Sequence, residues 1–324
     1  MQRSAPASAV PSPAPVLSYS PVVLSVPGRP VDLQVRVTVP VDGTDLPVLL
    51  LSHGHGHSNN LSSLNGYAPI ANLWAAQGFV VLQPTHLSSS TLAPLLADAP
   101  GAPFFWRSRA EDMSRILDRL DEIEAAVPHL AGRIDRGRVA VAGHSLGGFT
   151  ASLLLGARVA DPDTGEMVDL TEPRITAGVL LAAPGRGGDA LNGPMAGMIG
   201  FGRGIDFSTM TTPTLVVAGD KDDSRHFTDL GPAWHADPYT FAPGPKALLT
   251  LFGAEHGLGG IAGYDAAETT DENPALVAAL ARLAGAYLRR VLHSDDTAWR
   301  AAVDTLASGP GTFGQVGTKG AVGS

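Results

Sequence analysis

Six short, unbroken apolar runs recur along the chain and restrict its fold more than any other sequence feature. Each run is four to six residues long: 48–51, 79–82, 139–142, 179–182, 215–218 and 247–252. Strands that are buried on both faces have this pattern, because neither side of the strand meets water. Segments with helical spacing separate most of the runs. The alternation predicts an α/β fold with a mostly parallel sheet covered by helices on both faces.

Two β-rich runs precede this series, and four helices are predicted within and after it. Residues 16–26 and 31–39 are joined by a turn segment that reads PGRP. The second run alternates strictly, which predicts a half-buried strand antiparallel to the first; its inward positions are Val31, Leu33, Val35, Val37 and Val39. Apolar residues spaced three and four apart predict the helices, over 108–127, 146–157, 274–292 and 295–306.

The composition of the chain ends and of one internal segment sets the expected domain organisation. We expect a single α/β domain over residues 16–307. Residues 1–15 are rich in Ala, Pro and Ser and predict an extended or disordered segment, whereas the glycine-rich residues 308–324 predict a flexible tail. Residues 184–211 are rich in Gly, Met and Phe and interrupt the strand pattern. Two interpretations of this insertion remain open: a surface excursion and a cap over the functional site.

Charge and hydropathy exclude several classes of partner. The chain has 31 acidic and 22 basic side chains, a formal net charge of −9 and no basic run. Because a negative protein repels the phosphate backbone, we expect no nucleic-acid partner. No apolar stretch reaches the roughly 18 to 20 residues that a membrane span requires. The absence of cysteine excludes disulfides, thiolate metal ligands and a cysteine nucleophile.

The sequence leaves the compartment and the oligomeric state open. Residues 1–15 contain one arginine but no apolar core of a secretory signal. This slightly favours a cytoplasmic protein, while secretion remains an alternative if a signal has been removed.

The strongest chemical signal is GHSLG at residues 143–147, which follows the apolar run 139–142 and precedes a predicted helix. In this strand–turn–helix context a G-x-S-x-G serine takes a positive φ on a tight turn, and the glycines avoid a clash. The turn lifts the Ser145 hydroxyl to a helix N-terminus, where the Leu146 N–H stabilises an oxyanion. We predict that Ser145 is a nucleophile, and that His144 points away and hydrogen-bonds locally.

A hydroxyl is a weak nucleophile near neutral pH and needs a general base and an orienting acid. Of the ten histidines, His256 is the best placed, because it lies in the loop after the last predicted strand. Such loops gather at the carboxyl edge of an open parallel sheet, where the serine also lies. The loop after the preceding strand offers three carboxylates. We rank Asp222 first as the acid, then Asp220, then Asp223.

The loop after the first buried strand reads SHGHGHS at residues 52–58. Its glycines allow the backbone to present N–H groups to the serine, and we predict the His55 N–H as the second oxyanion donor. The three alternating histidines raise the alternative of a metal site. Zinc requires further ligands at defined spacing, and the residues that follow this loop do not supply them, so we predict no metal.

Three stretches resemble the α/β-hydrolase superfamily: LLLSHGHGHS, RIDRGRVAVAGHSLGGFTA and TPTLVVAGDKDD. They are similar to the branch of bacterial platelet-activating-factor-acetylhydrolase-like, chlorophyllase-like and dienelactone-hydrolase-like serine esterases. The resemblance extends over roughly residues 30–292 and keeps the chain order serine, acid, histidine. It implies that Ser145 is the nucleophile, Asp222 the acid and His256 the base, with the His55 N–H in the oxyanion hole.

These observations predict a serine-dependent carboxylic ester hydrolase that forms an acyl-enzyme and needs no cofactor. The expected partner is a small-molecule or lipid-like ester. Five apolar residues of the insertion are candidates to line its binding site, and core packing is the alternative for them: Met195, Met198, Ile199, Phe201 and Phe207.

Three other functions remain open at this stage: a lipase, a cofactor-free perhydrolase and a non-catalytic binding relative. A chain-length series of esters distinguishes a lipase, and peroxide-dependent halogenation distinguishes a perhydrolase. The binding relative would turn over no ester at all.

Overall fold

A computed structural model describes residues 14–198, 204–308 and 312–320 of the chain. Its strands are β1 Val16–Leu24, β2 Leu33–Pro40, β3 Leu46–Ser52, β4 Val80–Pro84, β5 Ile134–His144, β6 Arg158–Ala160, β7 Met167–Asp169, β8 Ile175–Leu181, β9 Thr214–Gly219, β10 Lys246–Leu251 and β11 Gly314–Lys319. Its α-helices are α1 Ala68–Ala75, α2 Ala93–Leu96, α3 Trp106–Asp118, α4 Leu120–Ala126, α5 Leu146–Leu154, α6 Asp237–Phe241, α7 Pro274–His293 and α8 Asp296–Ser308.

Nine strands form one sheet in the order β1-β2-β4-β3-β5-β8-β9-β10-β11. The six central strands, from β4 to β10, pair in parallel. The pairs at the two edges are antiparallel. The predicted α/β class and the predicted antiparallel pair β1–β2 are therefore confirmed.

Strand β3 shows why the central strands are apolar throughout. Val48 and Leu50 belong to the apolar cluster on one face of the sheet, which contains the buried sides of α3, α4 and α5. Leu49 and Leu51 belong to the cluster on the other face, which contains those of α1, α7 and α8. Because side chains alternate along a strand, helices on both faces require every residue to be apolar. This layering leaves the carboxyl edge of the sheet open for loops.

The C-terminal tail corrects one expectation. Residues 314–319, within the segment predicted to be flexible, form β11 and pair antiparallel with β10. The outer edge of β10 would otherwise present unpaired N–H and C=O groups, which this strand satisfies. Glycine-rich composition suggested flexibility, because local composition carries no information about a distant partner strand.

Two further local differences separate expectation from structure. The predicted helix 108–127 is two helices, because Arg119 takes φ −121° and ψ 26° between α3 and α4. Residues between α5 and β8 form the small hairpin β6–β7, which sequence patterning missed. Residues 1–13, which include most of the segment expected to be extended, lie outside the described residues. No helix in the described ranges has the length and apolar character of a membrane span.

Candidate active site

Ser145 lies on a tight turn between β5 and α5 at the carboxyl edge of the sheet. Its φ is 53° and its ψ −119°, a backbone conformation that side-chain-bearing residues rarely adopt. A Cβ on Gly143 would lie 2.0 Å from the Gly147 carbonyl oxygen, and one on Gly147 would lie 2.0 Å from the Ser52 carbonyl oxygen. Only glycine fits these two positions. The turn has the geometry that the G-x-S-x-G pattern predicts.

Asp222 and His256 meet across the neighbouring loops. Nδ1 of His256 donates to Oδ2 of Asp222 at 2.7 Å. The aspartate side chain is 2% exposed and the imidazole 44% exposed. Asp220 faces elsewhere and accepts the Gly253 N–H at 2.7 Å, which holds the turn after β10. The structure therefore brings the first-ranked carboxylate, and not the second, to the histidine.

The pair stabilises opposite charges. Burial opposes ionisation of Asp222, but hydrogen bonds from His235 and His256 outweigh it and lower the pKa of the carboxyl. Burial likewise opposes protonation of His256, but the hydrogen bond and charge of Asp222 outweigh it and raise the pKa of the imidazole above its ordinary value. The arrangement favours a carboxylate next to a histidine that readily takes up a proton.

Ser145 and His256 line one small cavity of about 30 Å³. Its other lining residues are Gly54, His55, Leu61, His144, Gly257, Ala262, Glu268 and Thr269. Among the hydrogen bonds of the described residues, none joins the Ser145 hydroxyl to the imidazole. Hydrogen bonds between a nucleophile and its base are commonly long before substrate binds.

The loop after β3 and the start of α5 carry the two N–H groups of interest. The Gly54 N–H is engaged by the Tyr67 hydroxyl at 2.9 Å, and the next residue, His55, lines the cavity. The Leu146 N–H is the first of α5 and has no intrahelical acceptor. These are the two groups predicted as oxyanion donors.

His144 joins the two sides of the site. The Tyr67 hydroxyl donates to Nδ1 of His144 at 2.7 Å, and Nε2 of His144 donates to the His256 carbonyl oxygen at 2.8 Å. Burial lowers the pKa of His144 to about 3, which matches the neutral tautomer that these bonds require. A hydrogen-bond chain therefore runs from Gly54 to the backbone of His256. Sequence analysis expected a local role for His144 and missed Tyr67, which no motif marks.

Comparison with known proteins identifies the family of the chain. A family model described as "Alpha/beta hydrolase family" matches residues 48–320. The chain belongs to the alpha/beta hydrolase family. A search of curated proteins found no match. Membership supports hydrolysis of a small-molecule substrate in general terms.

A second polar cluster contacts the loop at residues 52–58; we call it the Arg109 cluster (Ser52, His53, His86, Arg109, Asp112). The fully buried Arg109 donates to Ser52 Oγ at 3.1 Å and to the His53 carbonyl oxygen. Ser52 and Asp112 bind the two ring nitrogens of His86, each at 3.0 Å. Burial lowers the pKa of Arg109 to about 9. Burial and the guanidinium lower the pKa of both histidines well below the ordinary value.

One group of possible metal ligands is found in the described part of the hydrolase: Asp222, His235 and His256, whose ligand atoms lie within 4.8 Å of one another. The two histidine nitrogens lie 2.7 and 3.1 Å from Asp222 Oδ2. Ligands of tetrahedral zinc stand about 3.3 Å apart, since each bond is about 2 Å long. The observed spacing suits protons between the atoms rather than a metal ion.

The candidate substrate-lining residues of the insertion divide into two groups. Phe207 is 2% exposed and packs in the apolar core, and Met195 is half-buried but not among the residues that line the cavity. Ile199 and Phe201, and the side chain of Met198, lie outside the described residues. A hydrogen bond from the Met195 N–H to the His226 carbonyl oxygen, 2.7 Å long, ties the insertion to the loop after β9.

Proposed function

We propose that this hydrolase cleaves carboxylic esters through an acyl-enzyme, with Ser145 as nucleophile, His256 as general base and Asp222 as the orienting acid. The observation that carries the proposal is the 2.7 Å bond between Asp222 and Nδ1 of His256, formed beside the cavity that Ser145 also lines. This bond leaves Nε2 of the neutral imidazole as the free proton acceptor, which is the tautomer that activation of a hydroxyl requires.

The proposed reaction has two halves. In the first, Ser145 Oγ attacks the ester carbonyl while its proton passes to His256, and the C–O bond breaks as the imidazolium protonates the leaving alcohol. In the second, a water molecule loses a proton to His256 and attacks the acyl-serine, which releases the carboxylic acid and restores the hydroxyl. The N–H groups of His55 and Leu146 stabilise the tetrahedral oxyanion in both halves.

The size of the site favours a short acyl group. The cavity at the serine is small, about 30 Å³, and its lining combines apolar residues such as Leu61 and Ala262 with the polar side chain of Glu268. Glu268 is held in place because it accepts the Ser58 N–H at 2.7 Å and the Ser58 hydroxyl at 2.6 Å. We therefore favour a small ester over a long-chain lipid. The motif resemblance supports the serine-esterase branch that contains dienelactone-hydrolase-like enzymes.

Labelling with a fluorophosphonate, followed by peptide mapping, tests the proposal without knowledge of the substrate. We expect one modified peptide, which contains Ser145, and no label in Ser145→Ala. Ser152→Ala is the matched control, because this serine lies on α5 and its hydroxyl donates to the Gly148 carbonyl oxygen of the same helix. A panel of p-nitrophenyl esters then measures chain-length preference. Label that persists in Ser145→Ala, or no label and no ester turnover, would refute the proposal.

A further inference from the structure

A second histidine contacts the carboxylate of Asp222. His235 lies on the short 3-10 helix Gly231–Ala236 and is fully buried. Its Nε2 is 3.1 Å from Asp222 Oδ2, the oxygen that also accepts from His256. Its Nδ1 is 2.9 Å from the Ala183 carbonyl oxygen. The proposed reaction does not require a second imidazole, so its protonation state is a separate question.

The contacts of His235 require more protons than a neutral ring supplies. The Ala183 carbonyl only accepts, so the ring must carry a proton on Nδ1. Nε2 then faces Asp222 Oδ2 and also Ser224 Oγ at 2.8 Å, while Ser224 Oγ lies 2.8 Å from Asp222 Oδ1. The single hydroxyl proton of Ser224 serves only one of its two contacts. A second ring proton, on Nε2, donates to Ser224 Oγ and places positive charge beside Asp222 Oδ2, and the Ser224 hydroxyl then donates to Asp222 Oδ1.

The same count at a second buried histidine of the chain needs no additional proton. His86 donates from Nδ1 to Asp112, and its Nε2 accepts the hydroxyl proton of Ser52. Arg109 in turn donates to that hydroxyl oxygen. The neutral ring therefore satisfies every contact of His86, and the excess proton is specific to the surroundings of His235.

We propose that His235 is a positioning residue for the proposed ester hydrolysis. It is an imidazolium that, together with Ser224, holds the Asp222 carboxylate in place, so that the negative charge of Asp222 interacts with both His235 and His256. The inference rests on the proposed function for its catalytic meaning. In the group Asp222, Ser224, His235 and His256, which we call the Asp222 cluster, one carboxylate faces two imidazoles.

The charge on His235 acts on the general base. The ring centroids of His235 and His256 are 5.6 Å apart. The other titratable groups nearby are His144, whose pKa burial lowers, Asp271, whose charge helps to raise the pKa of His256, and Asp237, which is held 3.4 Å from Arg186. The imidazolium therefore opposes protonation of His256 and counteracts part of the effect of Asp222. It keeps the base available at lower pH than a carboxylate alone would allow.

The pH dependence of kcat/KM in His235→Gln tests this effect, because glutamine still donates to Asp222 but carries no charge. We expect a lower kcat and an acid limb moved upward by about one pH unit. His226→Gln, an exposed histidine of the same loop region, should leave both unchanged. A lower kcat with an unmoved acid limb would reduce His235 to a packing role and overturn the inference.

Nitrogen-15 NMR of the histidine rings at pH 8 supplies a readout that needs no turnover. We expect one ring with both nitrogens protonated, which persists in His256→Ala and disappears in His235→Gln. If His235→Gln does not fold, Ser224→Ala serves instead, since it should perturb this same ring signal. Only singly protonated rings at pH 8 in the His256→Ala protein would overturn the inference, even where fluorophosphonate labels Ser145. A doubly protonated ring in a protein that fails to label would instead refute the proposed function alone.

Discussion

The Asp222 cluster and the Arg109 cluster both place histidines beside buried charged groups, with opposite effects on the histidine pKa values. In the Arg109 cluster the pKa values of His53 and His86 fall well below the ordinary value, because burial and the nearby guanidinium both oppose their protonation. In the Asp222 cluster the pKa of His256 rises, because the carboxylate outweighs burial. At His53 and His86 burial dominates and the guanidinium adds to it, whereas at His256 the carboxylate dominates.

Exposure separates the two clusters as clearly as charge does. Residues of the Arg109 cluster are at most 4% exposed, so its bonds serve to hold the backbone of the loop at residues 52–58. In the Asp222 cluster, the His256 ring is 44% exposed and borders the cavity. One cluster is expected to control stability and the other turnover. Four substitutions test this division.

Asp222→Asn should have the largest effect. Asparagine keeps the shape but removes the charge and favours the wrong tautomer of His256, so kcat should fall by about 10⁴-fold. Asp223→Asn is the matched control, because this exposed aspartate of the same loop pairs with Arg225 at the surface. Steady-state ester hydrolysis measures both variants. A loss of less than tenfold in Asp222→Asn would show that this cluster does not govern turnover.

Arg109→Met should lower the free energy of unfolding by about 3 to 5 kcal/mol, because buried acceptors, among them the His53 carbonyl, lose their donor. Urea denaturation measures the change. Arg107→Met, on the exposed face of the same helix, should lose much less. If Arg109→Met abolishes turnover at undiminished stability, the proposed division between the clusters is wrong.

Tyr67→Phe should have a smaller effect on both stability and turnover, because Tyr67 joins the loop at residues 52–58 to His144. Its hydroxyl satisfies the Gly54 N–H and donates to His144, and both groups are buried. We expect a destabilisation of about 1 to 3 kcal/mol and a drop in kcat of about tenfold with little change in KM. Tyr19→Phe, whose hydroxyl bonds the exposed His129, is the control. An unchanged kcat would show that the hydrogen bonds of Tyr67 do not contribute to catalysis.

Asp271→Asn should have the smallest effect, confined to the pH profile. Asp271 accepts the N–H groups of Glu255 and Gly259, at 2.8 and 2.9 Å, and its charge helps to raise the pKa of His256. The base acts only when neutral, so activity falls as pH drops through this raised pKa. Removal of the charge should shift the acid limb of kcat/KM downward by about 0.3 pH unit. Asp265→Asn is the exposed control in the same loop, and an upward shift would contradict the assignment.

Local sequence patterns were sufficient to predict the layers of the fold and the turn that carries Ser145. Apolar runs of four to six residues report burial on both faces, and the glycines of GHSLG report a backbone that excludes side chains; both are local properties. The same logic placed Asp222 and His256 in adjacent loops at one edge of the sheet. The sequence could only rank Asp222 above Asp220, because both residues lie in the same loop and the direction of each side chain depends on the folded backbone.

The distant groups that form hydrogen bonds with these loops became known from the folded structure. Tyr67, His144, His235 and Arg109 find their partners across the fold, at separations in sequence that no periodicity encodes. The strand β11 is the same case, since glycine-rich residues pair with the free edge of β10. Hydrogen-bond partners and buried charges are set by three-dimensional proximity. Local sequence pattern therefore predicts which segments are buried but not which distant residues they contact.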